Sequence, residues 1–169
     1  MPSNIHLKLD GVKGESTDEN YKEAMDLLHW EWNVVQEGAT GAQAGKAKVH
    51  NLKVYKVLDA ASATLMLRCL DGNKINKGTL TQSRQAGGKE TVFVKIELEN
   101  IRVADATMSA LPMKNAPVDV GPDMAQVPVE EISLAFGIVK VEYTPVNPRT
   151  QEAGTPVPIA WDVQANKPP

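Results

Sequence analysis

Residues 91–103 read TVFVKIELENIRV and residues 131–145 read EISLAFGIVKVEYTP. In the first stretch Val92, Val94, Ile96 and Leu98 share one face of a strand, and beyond Asn100 the apolar set moves to Ile101 and Val103. In the second, Ile132, Leu134, Phe136 and Ile138 give way near Gly137 to Val139, Val141 and Tyr143. One extra residue sends every following side chain to the opposite face, so a bulge or sharp bend is expected near Asn100 and another near Gly137. Long strands that change face suit a strongly curved or closed sheet. The expectation is a mostly β protein, a barrel rather than a flat sandwich.

The same alternation extends to both ends of the chain. Ile5, Leu7 and Leu9 lie opposite His6 and Lys8, and Leu28, Trp30, Trp32 and Val34 lie opposite His29, Glu31 and Asn33. Val157, Ile159, Trp161 and Val163 form a third such face, and Val49 followed by Leu52 and Val54 suggests another change of face. One segment breaks the pattern. Asp59 can cap a flanking helix of about 60–71 that Gly72 ends, with Ala63, Met66, Leu67 and Leu70 on the face expected to pack against the barrel wall. Gly87-Gly88 predicts a turn between strands, and the three glycines of Glu37–Gly45 predict a mobile arm or long hairpin loop. The prolines at 112, 117, 122 and 128 exclude regular structure over 108–128, and residues 145–158 read as a shorter turn region. No repeat or linker divides the chain, so residues 1–169 are expected to form a single domain.

A net charge of −3 gives no electrostatic reason to bind nucleic acid or an anionic membrane surface. No apolar run reaches the roughly 18 residues of a membrane-spanning helix. The alternating start from Met1 to Asp10 lacks the apolar stretch of a secretory signal, so synthesis and folding in the cytosol are expected. Cys69 is the only cysteine, which rules out an intrachain disulfide.

The candidate chemical groups form no constellation. His6, His29 and His50 are expected on the polar faces of strands, with no zinc-site spacing among them, and Cys69 is expected to be a buried inert thiol. Glu15, Asp18, Glu19, Glu23 and Asp26 lack the alternation and central glycine of a calcium loop and read as a solvated connection. Gly87-Gly88-Lys89 lacks the remaining residues of a phosphate loop. Lys46, Lys48 and His50, with Lys53 and Lys56 close by, are the only basic concentration, and lysines of this kind protect a solvent edge from mispairing. Trp30, Trp32 and Trp161 are counted as core. No catalytic, cofactor-binding or metal-binding residue is assigned, no cofactor is expected, and a binding or assembly role is left by elimination.

Six segments, in order, resemble the Hcp (haemolysin-coregulated protein) family of type VI secretion. They are Ile5–Ser16 with its Leu-Asp-Gly-Val-Lys-Gly run, Leu28–Trp32, Leu65–Leu67 with Cys69, Thr81–Val94 including Gly87 and Gly88, Glu131–Pro145, and Trp161–Val163 followed by Asn166 and Lys167. The proline-rich 108–128 segment and the proline-ended tail depart from the pattern. The resemblance implies a curved two-sheet β-barrel flanked by one helix, a structural, non-enzymatic subunit of the secretion tube that assembles as a hexameric ring. Rings would stack into a tube, carry or chaperone effector cargo in the lumen, and contact sheath subunits and the spike protein. It also implies that the protein is cytoplasmic when assembled and is then secreted without a cleaved signal. A phage-like tail tube protein and a small non-catalytic β-barrel binding module remain as alternatives. For ring stacking the candidate residues are Gly38, Ala39, Thr40, Gly41, Ala42, Gln43, Ala44, Gly45, Lys46 and Ala47, which cannot build a core and could add to a neighbour's strand edge.

Overall fold

A computed structural model describes residues 4–110 and 127–169. The described elements are, in order, β1 (Ile5–Leu9), β2 (Met25–Asp26), β3 (His29–Glu31), β4 (Val34–Glu37), β5 (Lys46–Val49), β6 (Leu52–Val57), α1 (Ala61–Asp71), β7 (Ile75–Ala86), β8 (Lys89–Ser109), β9 (Val129–Ala135), β10 (Ile138–Tyr143) and β11 (Val157–Asp162). The protein is mostly β with one helix. Most of the proline-rich segment lies outside the described residues, and Met108 and Ser109 belong to the end of β8.

The 21-residue strand β8 organises everything else. Its first part pairs with β7 on one edge and with β10 on the other, where Val141 faces Ile96 and Val139 faces Leu98. Beyond Asn100 that second edge passes to β9, with Ala135 opposite Arg102. Asn100 adopts φ +56°, a left-handed conformation that asparagine tolerates better than most side chains. Gly137, between β9 and β10, donates its amide to the Glu99 carbonyl at 2.9 Å. Both expected bends therefore meet at one corner. The strand order is β2-β1-β7-β8-β9-β6-β3, with β10 on β8 and β11 outside β10.

The expected closed barrel is not what forms: the sheets are open. The terminal strands β2 and β3 have only two and three residues, too short a register to join the ends of the path. On the remaining edge, β11 carries Pro158, which cannot donate to a further strand.

Between the sheets lies an aliphatic core that includes Leu7, Leu52, Leu80, Ile96, Ile101 and Leu134. Two glycines join β7 to β8, both with positive φ (Gly87 +59°, Gly88 +77°), as a tight two-residue hairpin turn requires. The helix keeps its expected limits: Asp59 Oδ1 accepts from the Ala61 amide at 2.9 Å, and the Gly72 amide closes the last turn on the Arg68 carbonyl. Its orientation is a correction. Ala61, Ser62 and Leu65 are buried, whereas Leu67 and Leu70 are exposed.

Lys56 is a second correction, because its side chain is completely buried. Leu52, Val54 and Lys56 have the same parity, so all three point inward. Directly across from Lys56 in register is Glu130, also buried. Lys56 Nζ stands 2.5 Å from Glu130 Oε1 and 2.7 Å from Asp59 Oδ1, and donates to the Val57 carbonyl at 3.0 Å. Ser62 Oγ donates to Glu130 Oε1 at 2.7 Å, tying the first turn of α1 to β9. The water-facing side of β7, β8 and β10 is different. There Lys77–Glu99 (3.8 Å), Lys95–Glu97 (3.2 Å) and Lys140–Glu97 (3.9 Å) make a ladder of exposed pairs.

Candidate functional site

Strands β4 and β5 leave the main sheet and pair only with each other among the described residues, from Val34 opposite Val49 to Glu37 opposite Lys46. The ten candidate stacking residues all lie on this arm. Gly38–Gly45 form its tip, and Lys46 and Ala47 belong to β5. Thr40 organises the tip: its hydroxyl accepts from the Ala42 and Gln43 amides at 3.3 and 3.1 Å, and its own amide donates to the Gln43 carbonyl at 2.9 Å. Gly45 has no room for a side chain, because a Cβ there would lie 2.0 Å from the Glu37 carbonyl oxygen. Lys48 and Glu37 pair across the ribbon at 3.5 Å, half in solvent. Both outer edges of the arm thus keep free backbone donors and acceptors.

Beneath the arm runs an apolar groove of about 260 Å³. Trp32, Val34, Ala47 and Val49 line one side, and Val139, Ile159, Ala160 and Trp161 line the other. The expected tryptophan core is half right: Trp30, Trp32 and Trp161 are half-buried against the core, Trp32 and Trp161 from the groove side. Trp30 Nε1 donates to Gln82 Oε1 and Trp32 Nε1 to the His50 carbonyl, but Trp161 Nε1 is buried without a partner among the described residues. Outward from the groove, Val157 and Ile159 on β11 are 58% and 60% exposed. With the groove beside them they extend one apolar surface, the kind of contiguous patch that marks a contact site.

On the other side of the arm's base, a polar cleft of about 330 Å³ is lined by residues that include Glu31, Lys48, His50, Lys53 and Ser133. Lys53 bridges Glu131 at 3.7 Å and Glu31 at 4.0 Å. Next to them the Tyr55 hydroxyl donates to Glu31 Oε1 at 3.3 Å. Burial, and then the charges of Glu131 and Glu31, push the Tyr55 phenol up to about 12, so it stays protonated and serves as a donor.

The titratable groups singled out in the sequence are dispersed. His6 corrects the expectation of a surface histidine: it is buried, stacked on Tyr21 at 4.2 Å, with Nε2 3.3 Å from Asp26 Oδ1. Tyr21, in the segment leading into β2, and Asp26, the register partner of His6 on β2, cover it, which alternation along β1 alone could not reveal. His29 is half-buried against Tyr55, and His50 follows the end of β5 instead of lying within a strand. Cys69 is half-buried against the core. Among the described residues no group of three or more His, Cys, Asp or Glu could hold a metal ion.

Free strand edges, an apolar groove and scattered titratable groups define a β protein whose prominent surfaces suit contact with other proteins. The sequence comparison makes this specific. The chain belongs to the Hcp family, described as "Type VI secretion system effector, Hcp", whose model matches residues 6–143. It is 28% identical over 170 residues to protein hcp1 of Pseudomonas aeruginosa, covering 98% of each chain. Among solved structures, one described as a type six secretion system protein aligns with a TM-score of 0.80 at 28% identity, over 96% of this chain and 97% of the other. Hcp1 from Salmonella typhimurium aligns with a TM-score of 0.75 at 27% identity, over 99% of both.

Proposed function

We propose that this chain is a structural, non-catalytic subunit of the type VI secretion inner tube, folded as one Hcp-like unit over residues 1–169. Six copies close into a ring, rings stack into a tube, and effector cargo travels in the lumen. Sheath subunits and the spike protein are its further partners. The tube assembles in the cytoplasm and leaves the cell without cleavage of a signal. Nucleic acid, membrane insertion and cofactors have no place in this reading.

The observation that carries it is the uncovered β11 edge, where Val157 and Ile159 border an apolar groove. Covering each in a subunit contact would contribute about 1.5–3 kcal/mol at most, and a heterologous contact closes into a ring when the rotation between neighbours closes. The arm from Gly38 to Ala47, with two free strand edges, supplies the stacking contact by adding to a neighbour's edge.

Light scattering and negative-stain microscopy of the purified protein test the ring. A six-membered ring with a central pore is expected; a monomer across a wide concentration range would sink the proposal. Deleting Ala39–Ala44 should leave rings intact and abolish export from a bacterium with an active machine. Normal export by that strain would free the arm of its stacking role.

A further inference from the structure

The side of α1 that faces away from the sheets is apolar. Leu67 and Leu70 are 53% and 79% exposed, and Ala63 on the same side is exposed too. These residues recur at i, i+4 and i+7, so they make a continuous stripe about two turns long. The core gains nothing from it, because Ala61, Ser62 and Leu65 already bury the opposite side.

Cations gather where the stripe ends. Arg68 is paired with Asp71 at 3.6 Å. Arg102 donates to the Gly72 carbonyl, and Lys74 Nζ lies 3.4 Å from Asn100 Oδ1. Neither Lys74 nor Arg102 has a carboxylate partner among the described residues. The rim therefore carries a surplus of two positive charges on a chain whose net charge is −3. Pairing the stripe with a second copy of itself would bring no anion to this rim, since Asp59, at the other end of the helix, is already bound to Lys56.

We propose that this stripe is a docking surface for an amphipathic helix of another protein, apolar on one side and acidic beside it. Leu67 and Leu70 would pack between the partner's ridges, and Lys74 and Arg102 would meet its carboxylates. The proposal goes beyond the ring reading and does not depend on it, because neither the groove nor the arm includes α1.

The test uses the full chain and fluorescein-labelled peptides of about 18 residues, long enough to form a helix. Acidic peptides carry leucines at i, i+3, i+4 and i+7 flanked by glutamates, in two registers; matched peptides carry lysines in place of the glutamates. Anisotropy should show saturable binding of an acidic peptide and little of the lysine peptides. Binding should weaken by about tenfold or more, a loss set by two buried leucines, in Leu67→Ser/Leu70→Ser. Lys74→Glu, which leaves the Arg102 contact to Gly72 in place, should weaken the acidic peptide and strengthen the lysine one. Circular dichroism and particle size by light scattering should be unchanged in both variants. Equal binding of acidic and lysine peptides, or full binding by the leucine variant, would overturn the proposal. A smaller assembly in the leucine variant would also overturn it, by showing that a second copy already covers the stripe.

Discussion

Lysines meet glutamates across neighbouring strands both inside this molecule and on its surface. Inside, Lys56, Glu130 and Asp59 are held with Ser62 in a dry cluster where neither lysine nor glutamate touches solvent. Outside, the ladder of Lys77, Lys95 and Lys140 with Glu97 and Glu99 uses the same two side chains at longer distances, with each group partly in water. In water a pair of this kind is screened and costs side-chain freedom, which leaves about 0–1 kcal/mol. In the interior neither charge can return to solvent when its partner goes. The surface pairs add little to stability, whereas the buried cluster fixes how α1 sits on β6 and β9.

The largest effect should come from breaking the inner cluster. Lys56→Ala leaves Glu130 and Asp59 without their cation and should cost about 3–5 kcal/mol in urea unfolding. A sharper version is the double variant Lys56→Met/Glu130→Leu, which removes both charges and should recover most of that loss. A loss below about 1 kcal/mol for Lys56→Ala would mean that the cluster behaves like the ladder.

Tyr55 lies between the two extremes, its ring buried and its hydroxyl on Glu31. Its folded pKa of about 12 lies above the ordinary phenol value of 10.0, so the folded state favours the neutral phenol. The resulting stability is complete below pH 10, declines as pH rises towards 12, and amounts to about 2–3 kcal/mol. Urea midpoints across this range should fall more steeply for the native protein than for Tyr55→Phe; parallel curves would show that the phenol is not shifted.

The smallest effect belongs to the ladder. Glu97→Gln removes the carboxylate shared by Lys95 and Lys140, yet stability should change by less than about 1 kcal/mol, and the difference should shrink further in added salt. A larger, salt-insensitive loss would erase the contrast between surface and interior.

Strand-level features were legible in the sequence because they are local. The change of face at Asn100 and Gly137, the limits of α1 and the Gly87-Gly88 turn each depend on a few adjacent residues, and each is present. Features set by distant neighbours were not. The stripe of α1 looked like a core face, but which side faces the sheet is settled by Ser62 reaching Glu130, 68 residues away. Whether the sheets close depends on how short β2 and β3 are, which alternation does not reveal. Lys56 is a different case, because its parity with Leu52 and Val54 placed it inside, as the parity of Glu130 with Ile132 and Leu134 did. Its charge, shared with Lys53 and the lysines of β5, points the other way. The arm could be read from its glycines, but the groove beneath it needed β10 and β11, which come 90 residues or more further along the chain.

The shared strand β8 also sets an order of events during synthesis. Its first half follows β7 after only two glycines, so that hairpin can close as soon as it is made. The half from Arg102 to Ser109 has no strand to pair with until β9, which begins at Val129, has been made. At about 5–20 residues per second that leaves a bare edge for a second or more, and every copy being translated presents the same one. Nascent chains are thus most exposed to pairing with one another in this interval, before β9 covers the edge.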